Sequence, residues 1–455
     1  GIGASLMMPA TLGILSTTFR GSERAFAFSV WGATAGASVA FGPLIGGFLT
    51  TDYSWRWAFR INVIVAPLAI IGALLFMPLG ERSQRRERID MPGALLVAVG
   101  MFLLVFGLSE GGTYGWWSTR KAFAVSGVSL WPTSRAVSVI PFAFVAAFAT
   151  LATFVLVERW KERHDRAPLF EFGQLRHRGF RYGLLTTAVL AMGQLGFLFV
   201  LPVFLQVGKH LSALENGVWL VPSGLFIVAG SQLGARLTRR LGTTSVVRLG
   251  LLLEAVGLAA VAFVLDPGLT FWELLPGFAI FGTGIGFASS QLTNVVLSDI
   301  SKDKAGAAGG ASTTVRQIGA ALGIAVIGSL LTSQTVRYAV NSVRASRSLP
   351  ASLKTQAIAR IHTFGVGFAP PDGTASRDVA TLRQVLGHAV ASGARPALLY
   401  AAAVVTLGFF VSGLIPKTLI PKTLIPKTLI PKTLIPKTLI PKTLIPKTLI
   451  PKTPR

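Results

Sequence analysis

Cysteine is absent from the 455 residues, and acidic side chains are scarce, at 18. Without cysteine there is no disulfide, no thiol nucleophile and no thiolate metal site. Charged residues of both signs reach only 13%, against roughly 25% in soluble globular chains. The five histidines, His164, His177, His210, His362 and His388, follow no metal-ligand spacing and read as solvated loop residues. No G-x-x-x-x-G-K-[ST] segment is present to cradle ATP phosphates. Nor does any serine–histidine–acid or paired-carboxylate arrangement point to an enzyme, and nothing in the sequence asks for a cofactor.

What the chain has in excess is apolar length. Hydrophobic residues make up 51% and glycine contributes 49 positions. The apolar residues fall in blocks close to or beyond about 18 residues, enough to cross a bilayer. In a soluble protein a net charge of +25 would suggest nucleic acid; in a membrane protein basic loops on one side account for it, and no nucleic-acid partner is expected. Spans are expected near 2–18, 25–49, 61–79, 91–109, 139–157, 182–205, 216–235, 246–265, 272–292, 309–333 and 396–415. Only helices satisfy their own backbone hydrogen bonds in lipid, so the expected fold class is an all-α polytopic membrane protein with about 11 transmembrane helices. The interior prolines Pro43, Pro67, Pro202, Pro222 and Pro276 are tolerated in bundled membrane helices.

Charge placement fits this division. Only Glu254 and Arg316 lie well inside the expected spans. The loops after the odd-numbered spans carry 19 lysines and arginines and the opposite short loops carry six, which places the first set and the C-terminus in the cytoplasm. Residue 1 then starts outside. Tyr114, Trp116, Trp117 and Trp131 fall in the outer connection at 111–138, where amphipathic rings favour the headgroup zone. The stretch 334–395 reads as a long outer loop, with a turn at APPDG, 369–373.

Glu254 sits about eight residues, roughly 12 Å, into its span. A carboxylate at that depth faces the bundle interior or takes up a proton. It reads either as a coupling or cation-recognition acid, or as a structural carboxyl paired with a polar neighbour. Asn62, Gln194, Gln206, Gln232, Gln291 and Asn294 are candidates to line a cavity, and interhelical hydrogen bonding accounts for them equally well. From Ile415 the pentapeptide Ile-Pro-Lys-Thr-Leu runs seven times and closes as IPKTPR. Proline at every fifth position forbids a continuous helix. The tail reads as a basic strap for anionic lipid or as an expanded short repeat without a role.

The segment WGATAGASVAFGPLIGG, Trp31 to Gly47, carries Gly42-Pro43 and Gly46-Gly47 late in a span. Glycines there admit close helix approach, and the proline frees a carbonyl and bends the helix. This segment resembles the antiporter motif of major-facilitator drug exporters, with Ser38 where that family usually has a further glycine. GIGASLMMPATLGIL, FRGSERAFAFSVWG, SWRWAFRIN, LPVFLQVGKHLSALENGVWLVP and GFASSQLTNVVLSDISKDKAGAAGGASTTVRQIGAALGIAVIG resemble successive parts of the fourteen-span drug:proton antiporters (EmrB/QacA type). The likeness covers 1 to about 333 and again 396–415.

The resemblance implies a major-facilitator helical bundle in the bacterial inner membrane, exporting amphipathic small molecules in exchange for protons. It implies that 1–79 is the remainder of an N-terminal half, with three spans expected before Gly1. Two linker spans, 91–109 and 139–157, then occupy 80–181, a C-terminal half covers 182–415, and the repeat fills 416–455. Arg316 and Gln317 match the family's Arg-Gln pair before Gly319 and Gly323. Arg316 is expected either to meet a buried carboxylate or a substrate anion, or to snorkel to the surface. Carriage of another small molecule on the same framework, and an inactive membrane remnant, are the alternative functions.

Overall fold

A computed structural model describes residues 2–19, 21–76, 90–125, 128–164, 166, 168–298, 300–301, 304–371 and 374–416. The expected boundary at 79/80 and all of the repeat beyond Pro416 lie outside the described residues. Helices α1 (Ile2–Thr18), α2 (Gly21–Phe48), a short α3 (Trp57–Arg60) and α4 (Asn62–Phe76) come first. Next are α5 (Met91–Tyr114) and α6 (Val139–Arg163), then α7 (Arg178–Val203), α8 (Ala213–Leu241), α9 (Thr243–Val264) and α10 (Phe271–Ser298). The series ends with α11 (Ala305–Ala345), α12 (Ala351–Phe364) and α13 (Ser376–Ser412). Each expected span overlaps one of these helices; 77–79 of the span expected at 61–79 lie outside the described residues, and 413–415 of the last expected span lie beyond the end of α13. Among the described residues ten helices are long and apolar enough to cross a membrane; the first expected span forms the 17-residue α1.

Local chemistry sets the helix ends. Ser212 and Glu215 cap α8 reciprocally, each side chain accepting from the other's backbone N–H at 3.2 and 2.8 Å. Gly242, at φ 81°, reverses the chain between α8 and α9. The expected interior prolines all sit inside helices, and α7 passes beyond Pro202 into a wider turn at Phe204–Gly208.

One expectation is corrected. The stretch 334–395, read as an outer loop, is mostly helix: α11 runs unbroken to Ala345, α12 follows, and α13 begins at Ser376. Polar residues dilute the apolar signal there, yet Thr335, Ala339, Val340 and Val343 repeat at helical spacing and are buried. They pack with the start of α13, where a Cβ at Gly393 would stand 2.9 Å from the Leu331 carbonyl oxygen. The span expected at 309–333 is thus part of the longer helix α11, and that expected at 396–415 is the last part of α13 up to Ser412. His362 and His388 fall within α12 and α13 rather than in loops.

The core lies among α7, α9, α10 and α13, centred on rings such as Phe197 and Phe281, whose centroids are 4.0 Å apart. In contrast, α4 has no buried residue; its apolar side chains point away from the bundle. Lipid is as apolar as leucine, so helix association must come from close packing and polar contacts. The seam between α2 and α8 shows how this is achieved. A Cβ at Gly36 would stand 2.6 Å from the Ile227 side chain, and one at Gly47 would stand 2.9 Å from the Leu214 Cα. From the other side, Gly224 fits against Ala40, and a Cβ at Gly217 would meet the Pro43 carbonyl oxygen at 2.5 Å. Gly42 and Gly46 take no part, since a Cβ on either would have nothing within 4 Å.

A two-strand hairpin, Phe123–Val125 with Val128–Trp131, stands between α5 and α6. Trp117 is exposed there as an interface anchor would be, whereas Trp116 packs over Gly111 and stacks on Phe144. At the opposite end of this helix pair, Lys161 donates to Asp90 and, at 3.0 Å, to Glu158. Asp90 also caps α5 through the Gly93 N–H. The fully buried Glu158 accepts from the Leu169 and Phe170 N–H groups, tying the pair to the segment that leads into α7.

Burial pushes the Asp90 carboxyl up, but hydrogen bonds from Lys161 and Gly93 and the Lys161 charge outweigh it and hold it below its ordinary value of 3.8. Stability contributed by a carboxyl depressed on folding is complete above its unfolded value and lost as pH falls through the folded one.

Two predictions follow from this packing and capping. Gly224→Val should cost about 1–3 kcal/mol by overpacking, whereas Gly46→Ala should stay within about 0.5 kcal/mol; thermal unfolding in detergent, followed by tryptophan fluorescence, compares them. Asp90→Asn should lower the melting temperature at pH 7, and its difference from the parent should shrink as pH falls below 3.8; a pH series of melts tests this.

Candidate functional site

Helices α1 and α2 meet α7, α10 and α11 around a cavity of about 30 Å³, room for roughly one water molecule. Its polar lining includes Trp31 from α2, Thr187 and Gln194 from α7, Thr293 from α10, and Arg316 and Gln317 from α11. Glycines bring these side chains together. A Cβ at Gly319 would stand 2.8 Å from the Ala188 Cα, and one at Gly323 would stand 2.9 Å from the Met192 Cα. The backbones of α11 and α7 therefore touch just beyond the Arg-Gln pair, and Arg316 lies level with the turn of α7 just before Ala188. On the other wall, Gly32 lies against Ser290 of α10, where a Cβ would be 3.1 Å from the Ser290 Cβ. That contact sets the neighbouring Trp31 at the cavity.

The Arg316 guanidinium carbon stands 5.8 Å from the centroid of the Trp31 ring, at the outer limit of a cation–π contact. Arg316 is half-buried and meets no carboxylate among the described residues, whose ion pairs are Lys161–Asp90, Lys161–Glu158 and Lys304–Glu171.

Glu254 occupies a different place. It is the twelfth residue of α9, about 17 Å along the axis and deeper than the span boundary suggested. Its side chain is completely buried, and neither carboxyl oxygen has a hydrogen-bond partner among the described residues. The space for it comes from Gly193 of α7, where a Cβ would be 2.9 Å from Glu254 Oε1. Close approach of α9 and α10 at Gly250 and Gly284, where a Cβ on Gly284 would be 2.7 Å from the Gly250 carbonyl oxygen, holds it there. Glu254 does not line the cavity. Gly193 and Gln194 are consecutive on α7 and point about 100° apart, so Glu254 and the cavity lie on different faces of one helix.

Among the other sequence candidates, Gln194 and Gln317 are at the cavity and Asn62 is not. Asn62 is exposed at the start of α4, and its amide donates to the Phe59 carbonyl at 3.1 Å. Of the motif residues Gly42, Pro43, Gly46 and Gly47, the Pro43 carbonyl and Gly47 form the end of the α2–α8 seam, away from the cavity. Sequence reasoning passed over the small polar residues Thr187, Ser289, Thr293, Ser312 and Thr313 as well as Trp31 as cavity residues. The signal was there in the four-residue spacing of Ser289 with Thr293 and of Ser312 and Thr313 with Arg316 and Gln317, which puts each set on one helix face.

Comparison with known proteins gives this arrangement a context. The family model described as Major Facilitator Superfamily matches residues 1–324. A protein named "Probable actinorhodin transporter" from Streptomyces coelicolor is 33% identical over 338 residues, which are 72% of this chain and 54% of that protein. The "Tetracenomycin C resistance and export protein" of Streptomyces glaucescens is 28% identical over 414 residues, 90% of this chain and 72% of the relative. A puromycin resistance protein from Streptomyces alboniger is 31% identical over 342 residues, 74% of this chain and 63% of the relative. The chain thus spans between 54% and 72% of the length of these relatives. With a family model matched over most of its length and a multi-pass helical bundle to go with it, the chain belongs to the Major Facilitator Superfamily.

Proposed function

We propose that the protein is a secondary active transporter of the fourteen-span drug:proton antiporter type. It exports drugs or other amphipathic small molecules across the bacterial inner membrane, with its C-terminus in the cytoplasm. The observation that carries this reading is the polar cavity at the junction of α1 and α2 with α7, α10 and α11. It lies in a chain whose relatives bear export and resistance names. Ligand sites of transporters lie near the bilayer midplane between helix groups that rock against one another. At about 30 Å³ the cavity is far below the roughly 300–1,000 Å³ that a drug-sized ligand fills. Loading therefore requires α1 and α2 to part from α7, α10 and α11.

The α2–α8 seam supplies a seal for such a motion. At its end the Pro43 carbonyl and Gly47 abut Gly217 and Ala213 through backbone atoms, a contact that forms or breaks without rearranging side chains. Glu254 is the group we assign to proton binding. A buried carboxyl without a partner is stable only when protonated, so any conformational change that admits water to it releases a proton. Its contact with Gly193 lies one residue from Gln194 at the cavity, and a proton bound or lost there is felt through α7.

This makes Glu254 the residue to test. In proteoliposomes with an imposed pH gradient, Glu254→Gln should reduce proton-driven movement of an amphipathic dye at least about 10-fold, a typical cost of removing an essential proton carrier. Dye exchange without a gradient should persist. Unchanged gradient-driven transport in Glu254→Gln would remove Glu254 from the mechanism.

A further inference from the structure

We infer that Arg316 and Trp31 form an anion subsite, and that the molecules carried are planar aromatic compounds bearing a carboxylate or another ionised acid. This inference rests on the transport reading above and narrows its substrate class. Three observations lead to it. The cavity lining contains one formally charged side chain, Arg316, and no acid among the described residues. Arg316 makes no ion pair among those residues. Lastly, it lies eleven residues beyond Ala305, about 16 Å along α11, three residues before the contact of Gly319 with Ala188.

An arginine at such a depth is costly unless it is paired. Its partner in this structure is the Trp31 ring at 5.8 Å, which offsets charge weakly at that distance. Glu254, the other charged type inside the bundle, is turned away behind Gly193. The guanidinium therefore keeps its planar fork of N–H donors for an incoming group, and that fork matches a carboxylate with two parallel hydrogen bonds. Trp31 adds a flat apolar face beside it, suited to an aromatic ring. The neutral groups around them, Thr187, Gln194 and Thr293, orient a ligand but favour neither charge. A cation entering this cavity meets a like charge with no acid to receive it. An inorganic anion such as chloride shares the charge of the expected substrate but lacks the ring.

The test uses one ring with two charges. Pyrenecarboxylate and pyrenylmethylammonium are compared by fluorescence anisotropy with the full chain in detergent, and by transport in proteoliposomes. Binding of the carboxylate should be at least 10-fold tighter. Arg316→Gln should bring the two within about 2-fold, and Arg316→Lys should keep the order of preference with weaker binding, because a lysine cannot offer the bidentate fork. Trp31→Leu should weaken binding of both pyrenes. Competition by chloride that abolishes carboxylate binding in the parent would reassign the subsite to an inorganic anion. Equal binding of the two probes by the parent, or a preference that survives in Arg316→Gln, would overturn the inference while leaving transport intact. Preferential carboxylate binding with no movement of either probe would instead overturn the transport reading and leave the anion subsite standing. If Arg316→Gln does not fold, Arg316→Lys and Trp31→Leu carry the comparison.

Discussion

Helices in a bilayer gain little by hiding apolar side chains, because the lipid around them is just as apolar. Contact must come from atoms that approach more closely than lipid chains can, and in this protein that approach is backbone against backbone at glycine. Gly217 on the Pro43 carbonyl, Gly319 on Ala188, Gly323 on Met192 and Gly284 on Gly250 each leave no space for a Cβ. Every other feature of the bundle inherits its position from these contacts. They fix the rotation of each helix, and rotation decides which side chains face the cavity.

The same constraint keeps the two charged groups of the interior apart. On α7, Gly193 makes room for Glu254, while Gln194 faces the cavity with Arg316. Had the two charges met, they would have neutralised one another as a buried pair, stable in place and closed to any ligand. One helix separates them, on faces of α7 about 100° apart.

Polar contacts take over where the bundle meets water. The Asp90, Lys161 and Glu158 network fastens α5 and α6 to the segment before α7. Helices α11 and α13 also pair over their polar parts, burying Thr335, Val340 and Val343 among Leu386, Val390 and their neighbours. A narrow apolar stripe is enough there because a partner covers it.

Apolar block length and the exclusion of charge from the spans were enough to read the helices, because lipid punishes an unpaired backbone or an exposed charge wherever it occurs along the chain. The Arg316-Gln317 pair was singled out by its likeness to a family motif and Gln194 as a polar group at depth, and all three line the cavity. The helical nature of 334–395 was not legible, since its stripe of apolar residues has meaning only against α13. Nor could sequence tell Gly47, pressed on Ala213, from Gly46 and Gly42, which touch nothing. The sequence by itself determined that this chain crosses the membrane many times and which residues are costly there. Tertiary structure alone decided which of them meet, because the direction a side chain faces depends on how each helix is rotated by contacts with residues far away in the chain.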